Sequence, residues 1–201
     1  MDNPSEKPDR YLLKSARFIA QSAFESFIQP GFTVVDATMG NGHDTLSLCN
    51  LVGPEGKVFA FDIQEQALQN TRKLLEANGV AERAQLFCAS HDRMADFVPP
   101  QVDLVTFNLG WLPGGNKNIT TLLKTTRIAV DAALKLIRPL GLCVICVYPG
   151  HSEGDSERLY ITDMLSHLTP QAFNVLHSRF LNAGPGAPEC FQIQKQACTK
   201  I

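Results

Sequence analysis

Strand-like and helix-like patterns alternate along this 201-residue chain, which predicts an α/β domain: a mostly parallel sheet of seven strands with helices on both faces. Three observations carry that expectation. Short β-branched or apolar runs are each followed by apolar residues at helical spacing. Two further strand-like runs close the chain around a Gly/Pro-rich loop. No internal repeat, low-complexity block or linker divides the sequence, and its length suits one domain over residues 1–201.

Taken in order, residues 1–8 are polar with two prolines and are expected to be disordered. From Asp9 to Ile28, apolar residues at Leu12, Ala16, Ile19, Ala20, Ala23 and Phe27 predict an N-terminal helix packed on one face, ended by Gln29-Pro30-Gly31. Phe32–Asp36 reads as a strand and Asp44–Val52 as a helix stopped by Gly53-Pro54. Lys57–Asp62 is a second strand, and Glu65–Asn78 a helix closed by Gly79. Gln85–Ala89 and Val102–Phe107 supply strands three and four. Ile119–Ile137 reads as a long helix ended near Pro139, and Leu142–Tyr148 as strand five. Ser156–Leu168 is a last helix, and Ala172–Phe180 and Phe191–Lys195 are the final strands.

Composition narrows the function classes. Hydrophobic residues make up 44% and charged residues 19%, which excludes a disordered chain. The longest apolar run, Leu142–Tyr148, has seven residues, against roughly 20 for a membrane-spanning helix, so no membrane association is expected. Six cysteines without a signal peptide read as reduced thiols in the cytoplasm; a plastid location would require a targeting segment outside this sequence. Cys143 and Cys146 lie three apart on a strand, hence on opposite faces, and read as core rather than as a metal pair. His43, His167 and His177 show no ligand-like spacing, and no metal is expected. A net charge of −2 excludes nucleic-acid binding by bulk charge. The charge is uneven, however: residues 111–138 carry five bases (Lys117, Lys124, Arg127, Lys135, Arg138) and one acid, Asp131. That is either a site for an anionic partner or a solvated helix face.

The polar clusters fall after strands, where an open α/β sheet places its ligands. Asp36-Ala-Thr-Met-Gly40-Asn41-Gly42 puts an acid at a strand end before a short glycine loop. It lacks the third glycine of a dinucleotide fingerprint and the Lys-Ser/Thr of a P-loop. It suits a ligand with a cationic amino group, such as the methionine part of S-adenosylmethionine, or else a structural turn. Asp62, followed by Ile63 and Gln64, lies 20 residues beyond Gly42 at the end of strand two. It can accept from ribose hydroxyls or cap the next helix. Ser90-His91-Asp92 cannot form a catalytic relay, since neighbouring side chains diverge; Ser90 and His91 read as neighbours of an adenine or as a capping turn. Asn108, before Leu109-Gly110-Trp111-Leu112-Pro113, offers an amide oxygen that can grip an amine, and Trp111 a face on which a base can stack, unless the segment is only a tight turn with a buried Trp. His151, after strand five, is either a proton acceptor or structural, and Glu153 and Glu157 read as first-turn helix charges.

Together, residues 36–45, Phe61–Gln64, Ser90–Asp92, Phe107–Gly115, Ile119–Thr121, Tyr148–His151 and Phe180–Asn182 closely resemble a bacterial and plastid family long labelled rRNA methylases, whose characterised members are tRNA 5-(aminomethyl)-2-thiouridine methyltransferases. The resemblance runs from about Gly31 to Lys195. It implies a class I, Rossmann-like methyltransferase fold, S-adenosylmethionine as methyl donor, and the amine of a modified wobble uridine (position 34, in the anticodon stem-loop of tRNA) as acceptor, with a homodimer as the working unit. Asp36, Gly40, Asn41, Gly42, Asp62, Gln64, Ser90 and His91 would hold the donor. Gly110, Trp111, Leu112, Pro113 and Lys117 would face the acceptor, with Asn108 and His151 catalytic. Trp111 stands where the family usually has Tyr, which removes a hydroxyl but keeps a stacking surface. Methylation of rRNA or of a small-molecule amine is the alternative, and a non-catalytic nucleoside- or RNA-binding module a more distant one.

Overall fold

The structure is a computed structural model and describes residues 13–197. The expectation for residues 1–8, and for the part of the first helix before Leu13, lies outside the described residues. Within the described residues, helix α1 spans Ala16–Phe27: the Ser15 side chain accepts from the Phe18 N–H and starts the helix there, and Ile28 caps its end.

Strands β1 (Thr33–Asp36), β2 (Lys57–Asp62), β3 (Ala84–Cys88), β4 (Val102–Leu109) and β5 (Ile137–Val147) run parallel, β6 (Phe173–Ser178) at the edge runs the same way, and β7 (Glu189–Lys195), between β5 and β6, is antiparallel to both. Their order in the sheet is β3-β2-β1-β4-β5-β7-β6. The chain therefore reverses direction across the sheet after β3, and the switch lies between β1 and β4, where a crevice opens at the strand ends. Helices α2 (His43–Val52), α3 (Glu65–Ala77), α4 (Leu123–Leu136) and α5 (Ser152–Ser166) complete the layers. The expected seven-stranded, mostly parallel sheet is present, with element ends shifted by a few residues.

Alternation along the strands divides the core in two. Cys143, Ile145 and Val147 of β5 join the cluster beneath α4 and α5, whereas Val144 and Cys146 join the cluster beneath α1 and α2. Cys143 and Cys146 thus occupy opposite faces, as their spacing requires.

Two elements depart from the sequence pattern. Helix α4 begins at Leu123 rather than Ile119, because residues 110–121 fold back on themselves: Trp111 and Thr120 form an antiparallel bridge, and the Thr121 N–H donates to Gly110 O at 3.0 Å. Leu122 offers α4 no side-chain cap; Glu153 of α5 accepts from the Leu123 N–H at 3.2 Å instead. Strand β5 starts five residues early, at Ile137, with a register shift before Leu142.

The glycine loop is held against α3. Gly42 has φ +82°, and a Cβ there would lie 2.8 Å from Thr71 Oγ1 and 2.9 Å from Thr71 Cα. Left-handed backbone and a backbone clash both oppose any side chain. Gly42→Ala is therefore expected to destabilise the protein by about 3 kcal/mol, read as a lower urea midpoint at unchanged m-value.

Candidate functional site

A cavity of about 650 Å³ lies at the carboxyl ends of β1, β2 and β4, a size within the usual range for a small-molecule site. Asp62 ends β2 at its rim. Its Oδ2 accepts from the Gly40 N–H at 3.1 Å and its Oδ1 from the Gln64 N–H at 2.9 Å. Each oxygen keeps a lone pair for a ligand hydroxyl. Burial raises the Asp62 carboxyl above its ordinary value, against the backbone donors that lower it. Ile63, 56% exposed, gives the same rim an apolar shelf.

Ser90 and His91 follow β3 and line the cavity. His91 is buried edge-on to Phe107, with ring centroids 6.1 Å apart, and its Nε2 has no hydrogen-bond partner. Burial lowers its pKa to about 4, so the ring is neutral near pH 7.

Asp36 is placed differently from the sequence expectation. It is fully buried and does not line the cavity; its Oδ2 accepts from the Thr45 hydroxyl at 2.7 Å and its Oδ1 from the Thr38 N–H at 3.2 Å. Burial, with Asp44 nearby, pushes its carboxyl up to about 7. The anion that reaches the cavity wall is Asp44, one residue into α2. Gly42 likewise packs on α3 rather than lining the cavity.

Asn108 lines the cavity near the end of β4, and four groups fix it. Its N–H donates to Thr38 Oγ1 at 2.7 Å, its Nδ2 donates to Asp44 Oδ2 at 2.8 Å, and its Oδ1 accepts from the Tyr148 hydroxyl at 3.2 Å. Arg17, reaching over from α1, donates to Asp44 Oδ1 from Nε at 2.9 Å and from Nη2 at 2.6 Å. With Nδ2 committed to a carboxylate and Oδ1 to a hydroxyl, the amide orientation of Asn108 is determined by its neighbours. Sequence reasoning missed Arg17, Asp44 and Tyr148. Two signals were available: Asp44 lies in the 36–45 motif beside the glycine loop, and Tyr148 opens the Tyr148–His151 motif.

Gly110, Trp111, Leu112 and Pro113 line the opposite wall. Trp111 packs against the His151 ring at 4.8 Å, and Lys117 Nζ sits 5.5 Å from the Trp111 ring without itself lining the cavity. His151 does not line the cavity either. It caps α5, its Nδ1 accepting from the Gly154 N–H at 3.2 Å, which leaves it backing Trp111 rather than facing a reacting atom. Glu157 is no first-turn charge: it is fully buried, accepts from the hydroxyls of Thr121 and Thr126, and anchors the Trp111 loop to α5. Asn41 joins the two walls, its Nδ2 donating to Pro113 O at 3.0 Å and its Oδ1 accepting from Asn70 Nδ2 at 2.9 Å. No cluster of His, Cys, Asp and Glu that could hold a metal occurs among the described residues. No helix there is long and apolar enough to cross a membrane.

The chain is similar to known proteins in both sequence and fold. The family model described as "Putative rRNA methylase" matches residues 58–198. A tRNA (mnm5s2U34)-methyltransferase, chloroplastic, of Arabidopsis thaliana is 44% identical over 154 residues, covering 72% of this chain and 56% of its own. The chain spans about half the length of the curated relatives it matches. A solved Clostridium thermocellum structure described as an rRNA-methylase superposes with a TM-score of 0.88 at 34% identity, covering 91% of this chain and 98% of that one. A Streptococcus mutans structure, described as a methyltransferase in complex with SAH, superposes at 0.82 with 32% identity, covering 91% and 99%.

The buried Asp36 yields a pH test. Its carboxyl holds a proton to about pH 7 in the fold but only to about pH 3.9 in the unfolded chain. Between those values the folded state binds more protons, so this contribution to stability is lost as pH rises through 7. Asp36→Asn removes it. Urea unfolding at pH 5, 6, 7 and 8 should show the variant gaining on the wild type as pH rises.

Proposed function

The chain belongs to the rRNA methylase family, and from that premise we propose that it is an S-adenosylmethionine-dependent N-methyltransferase acting on the 5-aminomethyl-2-thiouridine of the tRNA wobble position, giving 5-methylaminomethyl-2-thiouridine. The single observation that carries the reading is Asn108, an amide held in one orientation at the wall of a cavity whose other side suits a nucleoside. The name of the 44%-identical Arabidopsis relative supports the tRNA substrate, and the SAH in the Streptococcus mutans structure supports the donor.

The residues present fit the donor. Asp62 has lone pairs free for ribose hydroxyls, with Gln64 beside it, while Ser90 and His91 line the wall beside the adenine position. Gly40 brings its backbone to the cavity, and Asn41 ties that loop to Pro113. The donor, when bound, supplies a sulfonium-borne methyl group for direct displacement by nitrogen.

Asn108 can receive an amine N–H on its remaining Oδ1 lone pair and so aim the nitrogen lone pair along the line of attack. The amine must arrive deprotonated, because an ammonium has no lone pair to give. Trp111 offers the uracil ring a stacking face, backed by His151. Of the five bases in residues 111–138, Lys135 and Arg138 are spent on Asp131 and Asp103. Lys117, Lys124 and Arg127 have no ion-pair partner among the described residues and lie beside the cavity or in the groove next to it, where they can take tRNA phosphates. Affinity for tRNA then falls with rising salt. A tRNA-bearing compartment, cytoplasm or plastid, and the homodimer are parts of the same proposal.

Mass spectrometry of tRNA nucleosides, after incubation with S-adenosylmethionine and tRNA bearing 5-aminomethyl-2-thiouridine, tests it. A gain of one methyl on that nucleoside is expected. No gain despite donor binding would move the substrate to rRNA or a small amine. In the same assay Asn108→Ala should lower transfer by about a hundredfold or more while donor affinity stays within a few-fold; unchanged turnover would remove Asn108 from the chemistry.

A further inference from the structure

A donor of the proposed kind is a zwitterion at its amino-acid end, with an α-ammonium and an α-carboxylate on one carbon. Across the sheet, the groups suited to adenine follow β3 and the group suited to ribose ends β2, so the amino-acid end falls toward β1 and β4. On that side the cavity wall carries Arg17 and Asp44, an ion pair with side chains 49% and 13% exposed.

The pair is not saturated. A guanidinium has five N–H donors, and Asp44 takes one from Nε and one from Nη2. Both Nη1 donors and the second Nη2 donor have no protein partner among the described residues. Asp44 has about four acceptor positions. Two of them receive Arg17 and one receives Asn108 Nδ2, which leaves one. Among the described residues, Arg17 is also the only Lys or Arg that lines the cavity. A lone carboxylate arriving here would meet Asp44 as well as Arg17, and a lone ammonium would meet Arg17 as well as Asp44. A ligand carrying both charges matches both partners at once.

We propose that Arg17 and Asp44 form the subsite for the amino-acid end of the donor, with Arg17 Nη1 taking the α-carboxylate and the free lone pair of Asp44 taking the α-ammonium. The assignment rests on the donor proposed above. It gives Asp44 the part that the strand-end acid Asp36, buried beneath the loop, is not placed to play.

Calorimetry of the whole protein with two probes tests it. One is S-adenosylhomocysteine. The other is 5′-methylthioadenosine, which keeps the adenosine and the sulfur but has no amino-acid group. Arg17→Ala should weaken S-adenosylhomocysteine about tenfold, as expected for a charge-assisted hydrogen bond at a partly exposed site, and change 5′-methylthioadenosine less than twofold. Arg17→Lys, which keeps the charge but not the fork, should fall between. Undiminished S-adenosylhomocysteine binding, or an equal loss for both probes, would overturn the subsite and leave the donor reading standing. Failure of the wild type to bind either probe would overturn the donor reading and the subsite together. Retained 5′-methylthioadenosine binding also shows that the variant is folded.

Discussion

The site hangs from one buried carboxylate. Asp36, at the end of the central strand β1, holds the Thr38 N–H with one oxygen and the Thr45 hydroxyl with the other. Thr38 then receives the Asn108 N–H on its own hydroxyl, and Thr45 sits next to Asp44, which receives Asn108 Nδ2. Two of the contacts that fix Asn108, those of Thr38 and Asp44, therefore lead back to Asp36, which does not itself touch the cavity, while the Tyr148 hydroxyl holds Asn108 Oδ1 independently. An acid is suited to this place because it accepts on two sides at once, and full burial keeps water from competing for either bond.

From that point the sheet distributes chemistry by strand order. Polar groups suited to a nucleoside gather at β2 and β3, and the amide that can aim an amine lies at β4, one strand across the switch. The far wall is the folded-back loop that carries Trp111, and it is held from behind. Glu157 receives two threonine hydroxyls, and Glu153 caps a helix that has no cap of its own. Helix α5 thus acts as the backing plate for the Trp111 wall, with its N-cap His151 against the Trp111 ring.

Much of this was legible in the chain itself. The alternation of strands and helices predicted the sheet, and Lys57–Asp62 falls where its residues placed it. That Gly40, Asp62, His91, Asn108 and Trp111 would gather at one cavity could be read because each lies at or just beyond the end of a strand, and strand ends in such a sheet point to one place. What could not be read depends on distant partners. Arg17 meets Asp44 27 residues away, Tyr148 meets Asn108 40 away, and Glu157 meets Thr121 36 away. Local pattern holds no trace of such pairings. Asp36 misled for a related reason: whether a strand-end acid faces the ligand or lies beneath the loop depends on which hydroxyls fold over it. The start of α4 failed likewise, since apolar spacing before Leu123 resembles helix whether or not a cap is supplied from elsewhere.

Asn41 bridges the glycine loop and Pro113, two residues beyond Trp111, through a single amide–carbonyl bond, while Asn70 holds its other end. Such a bond contributes about 1 kcal/mol, little more than thermal energy. The mouth of the cavity is thus closed between the Trp111 loop and the glycine loop by one weak polar link, beside the buried Leu112 that lies next to Gly40. The same side chain belongs to both walls, so a ligand that displaced Asn41 from Pro113 on one side would release the other, and linkage would make that influence equal in both directions.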